Sequence, residues 1–223
     1  MLPARASFIA SFLALTLLLN PPALAYDVGL SEAAVREAYF LGRRNDDKTR
    51  AFFEPYTRHL PLPKSGPYIS EIHLLTPLAQ VVRVSSTASG SYSAQQAQLD
   101  YRDRGDSLLL EVHIQFTPTY NQINAVRPSA KSGDAKGVVL RTEDFWKNFR
   151  FGIKQKEDWI DSRSIYSEPE YSSTDSYGST VLVGAWVFLE FDAPNVASDD
   201  TEVHVITPDG QDVSVTFDLS KLH

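Results

Sequence analysis

The chain has 223 residues, with 21 Lys and Arg against 28 Asp and Glu, a net charge of −7, and no cysteine. An acidic chain without a basic stripe repels phosphate backbones, so nucleic acid and anionic membrane surfaces are poor partners. The missing thiols exclude disulfides, cysteine nucleophiles and thiolate metal sites, which leaves core burial as the source of stability.

Residues 1–7 carry one cation, Arg5, and no acid. Residues 8–19 are apolar or small, Asn20-Pro21-Pro22 breaks the run, and Ala23-Leu24-Ala25 has the small-x-small form that signal peptidases accept. The order of these regions predicts a signal peptide over residues 1–25, cleaved before Tyr26. A membrane anchor needs about 20 apolar residues without an early breaker. No cysteine follows the run to carry a lipid, and no later stretch is long or apolar enough to cross a bilayer, so no transmembrane segment is expected after cleavage and the destination is periplasmic or secreted.

Residues 26–60 read as a helical lead-in. Ser31 and Glu32 open a segment in which Ala34, Val35, Ala38, Tyr39 and Leu41 recur at three- and four-residue spacing, ending near Gly42, with Arg43 and Arg44 suited to the carbonyl end of the dipole. A second short helix is expected over 46–54, before Pro55. The Pro- and Gly-rich stretch 61–67 is a linker into a β-rich body spanning 61–223.

In that body, 68–75 alternates, with Ile72 and Leu74 on one face and Glu71 and His73 on the other; 77–84 is ambiguous. Ser93 with capping-box spacing begins a helix that Gly105 should stop in the left-handed conformation. Residues 107–116 form a second alternating strand, with Leu108, Leu110, Val112, Ile114 and Phe116 inward and Glu111, His113 and Gln115 toward water. A polar loop is expected over 118–136, a short helix from Thr142 carrying Phe145, Trp146 and Phe149, and a strand over 150–155. The Ser-, Tyr- and Glu-rich stretch 161–179 reads as an exposed loop. Residues 180–191 place Leu182, Trp186 and Phe188 on one face and Val181, Val183, Val187, Leu189 and Phe191 on the other, so both need cover. A hairpin closes the chain through Pro208-Asp209-Gly210. The elements predict an α+β, β-rich fold: an antiparallel sandwich-like core with short N-terminal helices and a C-terminal hairpin.

No serine-nucleophile elbow, zinc helix, phosphate loop or calcium loop is present, so no catalytic residue and no cofactor are assigned. Three strands repeat one motif, Glu71 with His73, Glu111 with His113, and Glu202 with His204, which would converge on a metal or an acid–base pair only if the strands were neighbours. Asp192, Asp199 and Asp200 are the acids placed for calcium between the last long strand and the hairpin. Trp159, Tyr166, Tyr171 and Tyr177 give the 161–179 segment and its approach an aromatic, ligand-binding surface. Arg104-Gly105-Asp106 matches an adhesion tripeptide by letter, although its glycine is explained by the helix cap.

Residues 30–42, together with Gly66-Pro67-Tyr68-Ile69-Ser70, Tyr92-Ser93-Ala94-Gln95-Gln96 and Phe116-Thr117-Pro118-Thr119-Tyr120, make the chain resemble an uncharacterised family of exported bacterial proteins. The resemblance implies a bacterial envelope or secreted setting and transfers no residue role. The expected function is that of a non-enzymatic binding or interaction module, with an envelope protein or glycan as partner. A metal-assisted hydrolase built on the Glu and His positions and an envelope-complex scaffold are the alternatives.

Overall fold

The structure, a computed structural model, describes residues 28–118, 120, 142–173 and 180–223. The expected leader, Tyr177 and nearly all of the 118–136 loop lie outside the described residues.

The first helix, α1 (Glu32–Arg44), begins where the Ser31 side chain accepts the Ala34 N–H at 3.1 Å and ends at Asn45, whose left-handed φ of 44° closes the last turn. Gly42 is not its stop signal. It is a buried residue inside the helix, set so close to the next layer that an added Cβ would lie 2.3 Å from the Val82 carbonyl oxygen. After α2 (Asp47–Phe53), capped by Asp46, and a 3-10 turn containing Pro55, the chain enters β1 (Thr57–His59) and β2 (Pro67–Leu75).

The ambiguous segment is a helix, α3 (Pro77–Thr87), with Thr76 as its cap and Pro77 in the first turn, where the missing N–H costs nothing. Its valines mimic a strand, but Val81, Val82 and Ser85 are buried at helical spacing. Ser93 caps α4 (Ala94–Arg104) as expected. Gly105 ends it with φ 74° and ψ −174°, a positive φ outside the left-handed helical well that still requires glycine.

The remaining strands are β3 (Ser107–Phe116), β4 (Arg150–Gln155), β5 (Asp158–Ile160), β6 (Ser164–Ser173), β7 (Thr180–Asp192), β8 (Asp200–Ile206) and β9 (Asp212–Asp218). They form two antiparallel sheets, β1-β2-β3-β7-β6 and β5-β4-β8-β9. The expected short helix before β4 is a 3-10 turn, Glu143–Asn148.

β6 replaces, over Ser164–Ser173, the exposed loop expected over 161–179; residues 174–179 lie outside the described residues. Its composition is that of a border: among the described residues it pairs on one side only, with β7, and it carries Pro169 and two glutamates, Glu168 and Glu170, along its length. One-sided pairing tolerates a polar sequence because the neighbour supplies the ladder and water solvates the rest. The β8–β9 hairpin turns as predicted, with Gly210 at φ 87° and Thr207 N–H donating to the Gln211 carbonyl at 2.9 Å.

The inner face of the five-stranded sheet buries Ile72, Leu110, Val112, Ile114, Val187 and Phe191 in the same cluster as Ile153, Val203, Val205 and Phe217 of the four-stranded sheet. Each fully buried aliphatic side chain contributes about 1.5–3 kcal/mol. Val35, Ala38, Val81, Val82, Ala97 and Tyr101 form a second cluster that binds α1, α3 and α4 together. α3 lies against β2 and β3, so this helical layer partly roofs the outer face of the five-stranded sheet. No helix among the described residues is long and apolar enough to cross a membrane.

Candidate binding cleft

The strand registers arrange the outer face of the five-stranded sheet as a lattice. One row reads Glu71, His113, Trp186, Glu168 across β2, β3, β7 and β6; the next reads His73, Glu111, Phe188, Tyr166. Glu111 and His113 were expected to face water, yet they are 6% and 8% exposed. The alternation was right but the solvent was not, because the helical layer covers that side.

Burial of this polar face is offset by internal pairing. His73 presents Nδ1 to Glu111 Oε2 and Nε2 to Glu71 Oε1, each at 2.7 Å. Arg83, reaching down from α3, lies 3.0 Å from His73 Nδ1 and 3.4 Å from Glu111 Oε2, with its guanidinium stacked 5.1 Å from the Phe53 ring. Arginine has no lone pair, so the proton on Nδ1 decides whether Glu111 or Arg83 is the ring's partner there. His113 Nε2 meets Glu170 Oε2 at 2.8 Å and stacks on Trp186, with centroids 4.1 Å apart and planes 6° from parallel. Gly184 lets Glu170 reach across: a Cβ there would sit 3.3 Å from Glu170 Oε2 and 2.3 Å from the Ile114 carbonyl oxygen.

The three histidines do not meet. His73 and His113 flank Trp186, whereas His204 lies on β8 in the other sheet, between Asp212 at 3.0 Å and Glu202 at 3.2 Å, with the Trp159 ring 5.0 Å away. No group of three or more His, Asp or Glu among the described residues could hold a metal ion. The calcium candidates are dispersed as well. Asp192 pairs with Arg163 at 3.4 Å, Asp199 with Lys156 at 3.1 Å, and Asp200 sits opposite Asp218 in the ladder. The Asp200 N–H and then Lys156 hold the Asp199 carboxyl below the usual carboxylate range.

The aromatic candidates separate in the same way. Trp159, on β5, covers Gly152, where a Cβ would come within 2.9 Å of its ring. Tyr171 donates its hydroxyl to Glu143 and is thereby held above its ordinary pKa. Tyr177 lies outside the described residues, and Tyr166 lines a cleft. It stacks on Phe188 with centroids 4.9 Å apart and planes 14° from parallel, and its ring is 45% exposed.

That cleft, of about 420 Å³, opens between α3 and the sheet. Its volume suits a small ligand. α3 supplies Gln80 and Arg83, the end of α4 supplies Arg104, and the sheet supplies Glu111, Tyr166, Glu168, Phe188 and Glu190. Gln80 is 3% exposed; its amide nitrogen donates to the Ser107 carbonyl at 2.6 Å and to the Leu75 carbonyl at 3.3 Å, which aims its oxygen at Arg104 Nη1, 3.3 Å away. Glu190 accepts from Arg163 at 3.0 Å and Ser164 at 3.2 Å. Burial, then the carboxylates of Glu190, Glu168 and Glu111, push the Tyr166 phenol up, so it remains a neutral donor. A larger hollow of about 630 Å³ between α1 and α4 is lined by side chains such as Glu32, Arg36 and Arg102 and contains no buried polar group, so it lacks a comparable built centre.

Gln80 and Arg83 escaped sequence reasoning because the segment bearing them was ambiguous, and Arg104 stood out only within an adhesion tripeptide. The signal that could have found the cleft was the pairing of Trp186 and Phe188 on a strand apolar on both faces. The arrangement provides a stacking platform, a held guanidinium and carboxylates. Among the described residues, the hydrogen-bonding partners of His73 are Glu71, Glu111 and Arg83, with no serine or threonine hydroxyl. Compared with known proteins, the chain matches no family model and no curated protein.

Proposed function

We propose that the chain is an exported, non-enzymatic binding module that captures a small ligand in the cleft between α3 and the outer face of the five-stranded sheet. The observation that carries this reading is the half-exposed Tyr166 ring stacked on Phe188 beside a guanidinium positioned by a buried glutamine. An aromatic platform with a few fixed polar groups is the usual composition of a small-molecule site. Export rests on the leader pattern at residues 1–25. The metal-assisted hydrolase would need His73, His113 and His204 on one sheet, and they occupy two.

The test is a thermal-shift panel of amino acids, dipeptides, monosaccharides and disaccharides against wild type, Tyr166→Ala and Phe188→Ala. A true ligand at a hundredfold excess over its Kd adds about 2.7 kcal/mol, or a rise in Tm of roughly 5–10 °C for a chain this size. The rise should vanish in both variants. A shift that survives both replacements would place binding elsewhere. For export, protein expressed with its leader in a bacterial host should have an intact mass beginning at Tyr26; a mass beginning at Met1 would overturn that part.

A further inference from the structure

Building on the cleft reading, we infer that the ligand is zwitterionic, an amino acid or a short peptide with free ends, whose carboxylate docks on Arg104 and whose ammonium docks on Glu168, with its side chain against Tyr166.

Charge accounting within the cleft points there. Glu111 is paired with His73 and Arg83, and Glu190 with Arg163. Two lining charges are left over among the described residues. Arg104 donates to the Gln80 amide oxygen and has no carboxylate partner, and Glu168 has neither an ion pair nor a hydrogen bond. They have opposite signs, and their backbones lie on either side of Tyr166 along β6.

The backbone fixes that separation. Glu168 follows Tyr166 by two residues on the same face of β6, about 7 Å along the strand. Arg104 lies beyond the other end, since its carbonyl accepts from Arg163 Nη2 at 3.4 Å, just before β6 begins. The guanidinium's planar fork matches a carboxylate in two parallel hydrogen bonds. Glu168 lies opposite Trp186 in the ladder, and aromatic faces attract cations such as an ammonium. A neutral sugar would leave both charges without a counterion.

The experiment uses calorimetric titration of the full chain with glycyl-phenylalanine, its N-acetyl form, its C-terminal amide, the doubly blocked peptide and maltose. The free dipeptide should bind, and blocking either end should weaken binding by at least about tenfold. Arg104→Gln should abolish the penalty for amidation alone, and Glu168→Gln the penalty for acetylation alone. The peptide series on wild-type protein decides the matter even if Arg104→Gln misfolds. Equal affinity for free and blocked peptides, or binding of maltose alone, would overturn the zwitterion while leaving the cleft as a binding site. No binding of any probe, combined with the thermal-shift panel failing on wild type, would remove both.

Discussion

Tyr101 joins three segments at one hydroxyl, which accepts the Leu30 N–H at 2.6 Å and donates to Asp106. Burial and then the Asp106 hydrogen bond raise its pKa to about 12. An unfolded tyrosine titrates near 10, so the native state holds this proton more tightly. The resulting stabilisation is complete below about pH 10 and is lost as the pH rises through about 12. Thermal melts across that window should therefore show Tyr101→Phe declining less steeply than wild type, from a lower starting Tm; identical slopes would refute the linkage. At this scale the sequence revealed residue types and faces but not partners. The Glu and His spacing was visible on three strands. That two of those strands are adjacent and the third lies in another sheet depends on chain crossings that no local pattern encodes. Arg83 and Glu168 carried no local signature for the same reason.

Among elements, the α1–α3 crossing is set by Gly42, where the helix backbones come too close for any side chain. Gly42→Ala would improve helix propensity in isolation. Here it must push Val82 and Ser85 away, so it should destabilise the protein by about 1–3 kcal/mol, measured by urea unfolding. A neutral or stabilising result would show that the crossing relaxes freely. Helix caps and alternating strands were legible because their determinants lie within a few residues: Ser31, Ser93 and the 107–116 alternation all correspond to observed elements. β6 and α3 were not legible. β6 looks like a loop because its ladder comes from a distant segment, β7, and α3 is ambiguous because its valines favour a strand locally while packing against α1 holds them helical.

Across the whole molecule, the apolar sides of both sheets share one cluster, so neither sheet has a core of its own. Phe217, fully buried from the four-stranded sheet, packs in that cluster with Ile72 and Leu110 of the other. Phe217→Ala should cost about 3–5 kcal/mol and lower a single transition seen alike in far-ultraviolet and near-ultraviolet circular dichroism. Two separate transitions would mean that the layers fold independently. The sandwich-like, β-rich α+β class was readable from the count and order of alternating segments, whereas the roof over the outer face was not.

Each sheet border is blunted in its own way: β1 and β5 are three residues long, β6 carries Pro169, and β9 has its Thr216 carbonyl occupied by Arg58 Nε at 3.2 Å. A second molecule arriving with an extended segment finds, among the described residues, rows of amides and carbonyls that are short or interrupted. At high concentration such borders disfavour fibril-like stacking of one copy on another.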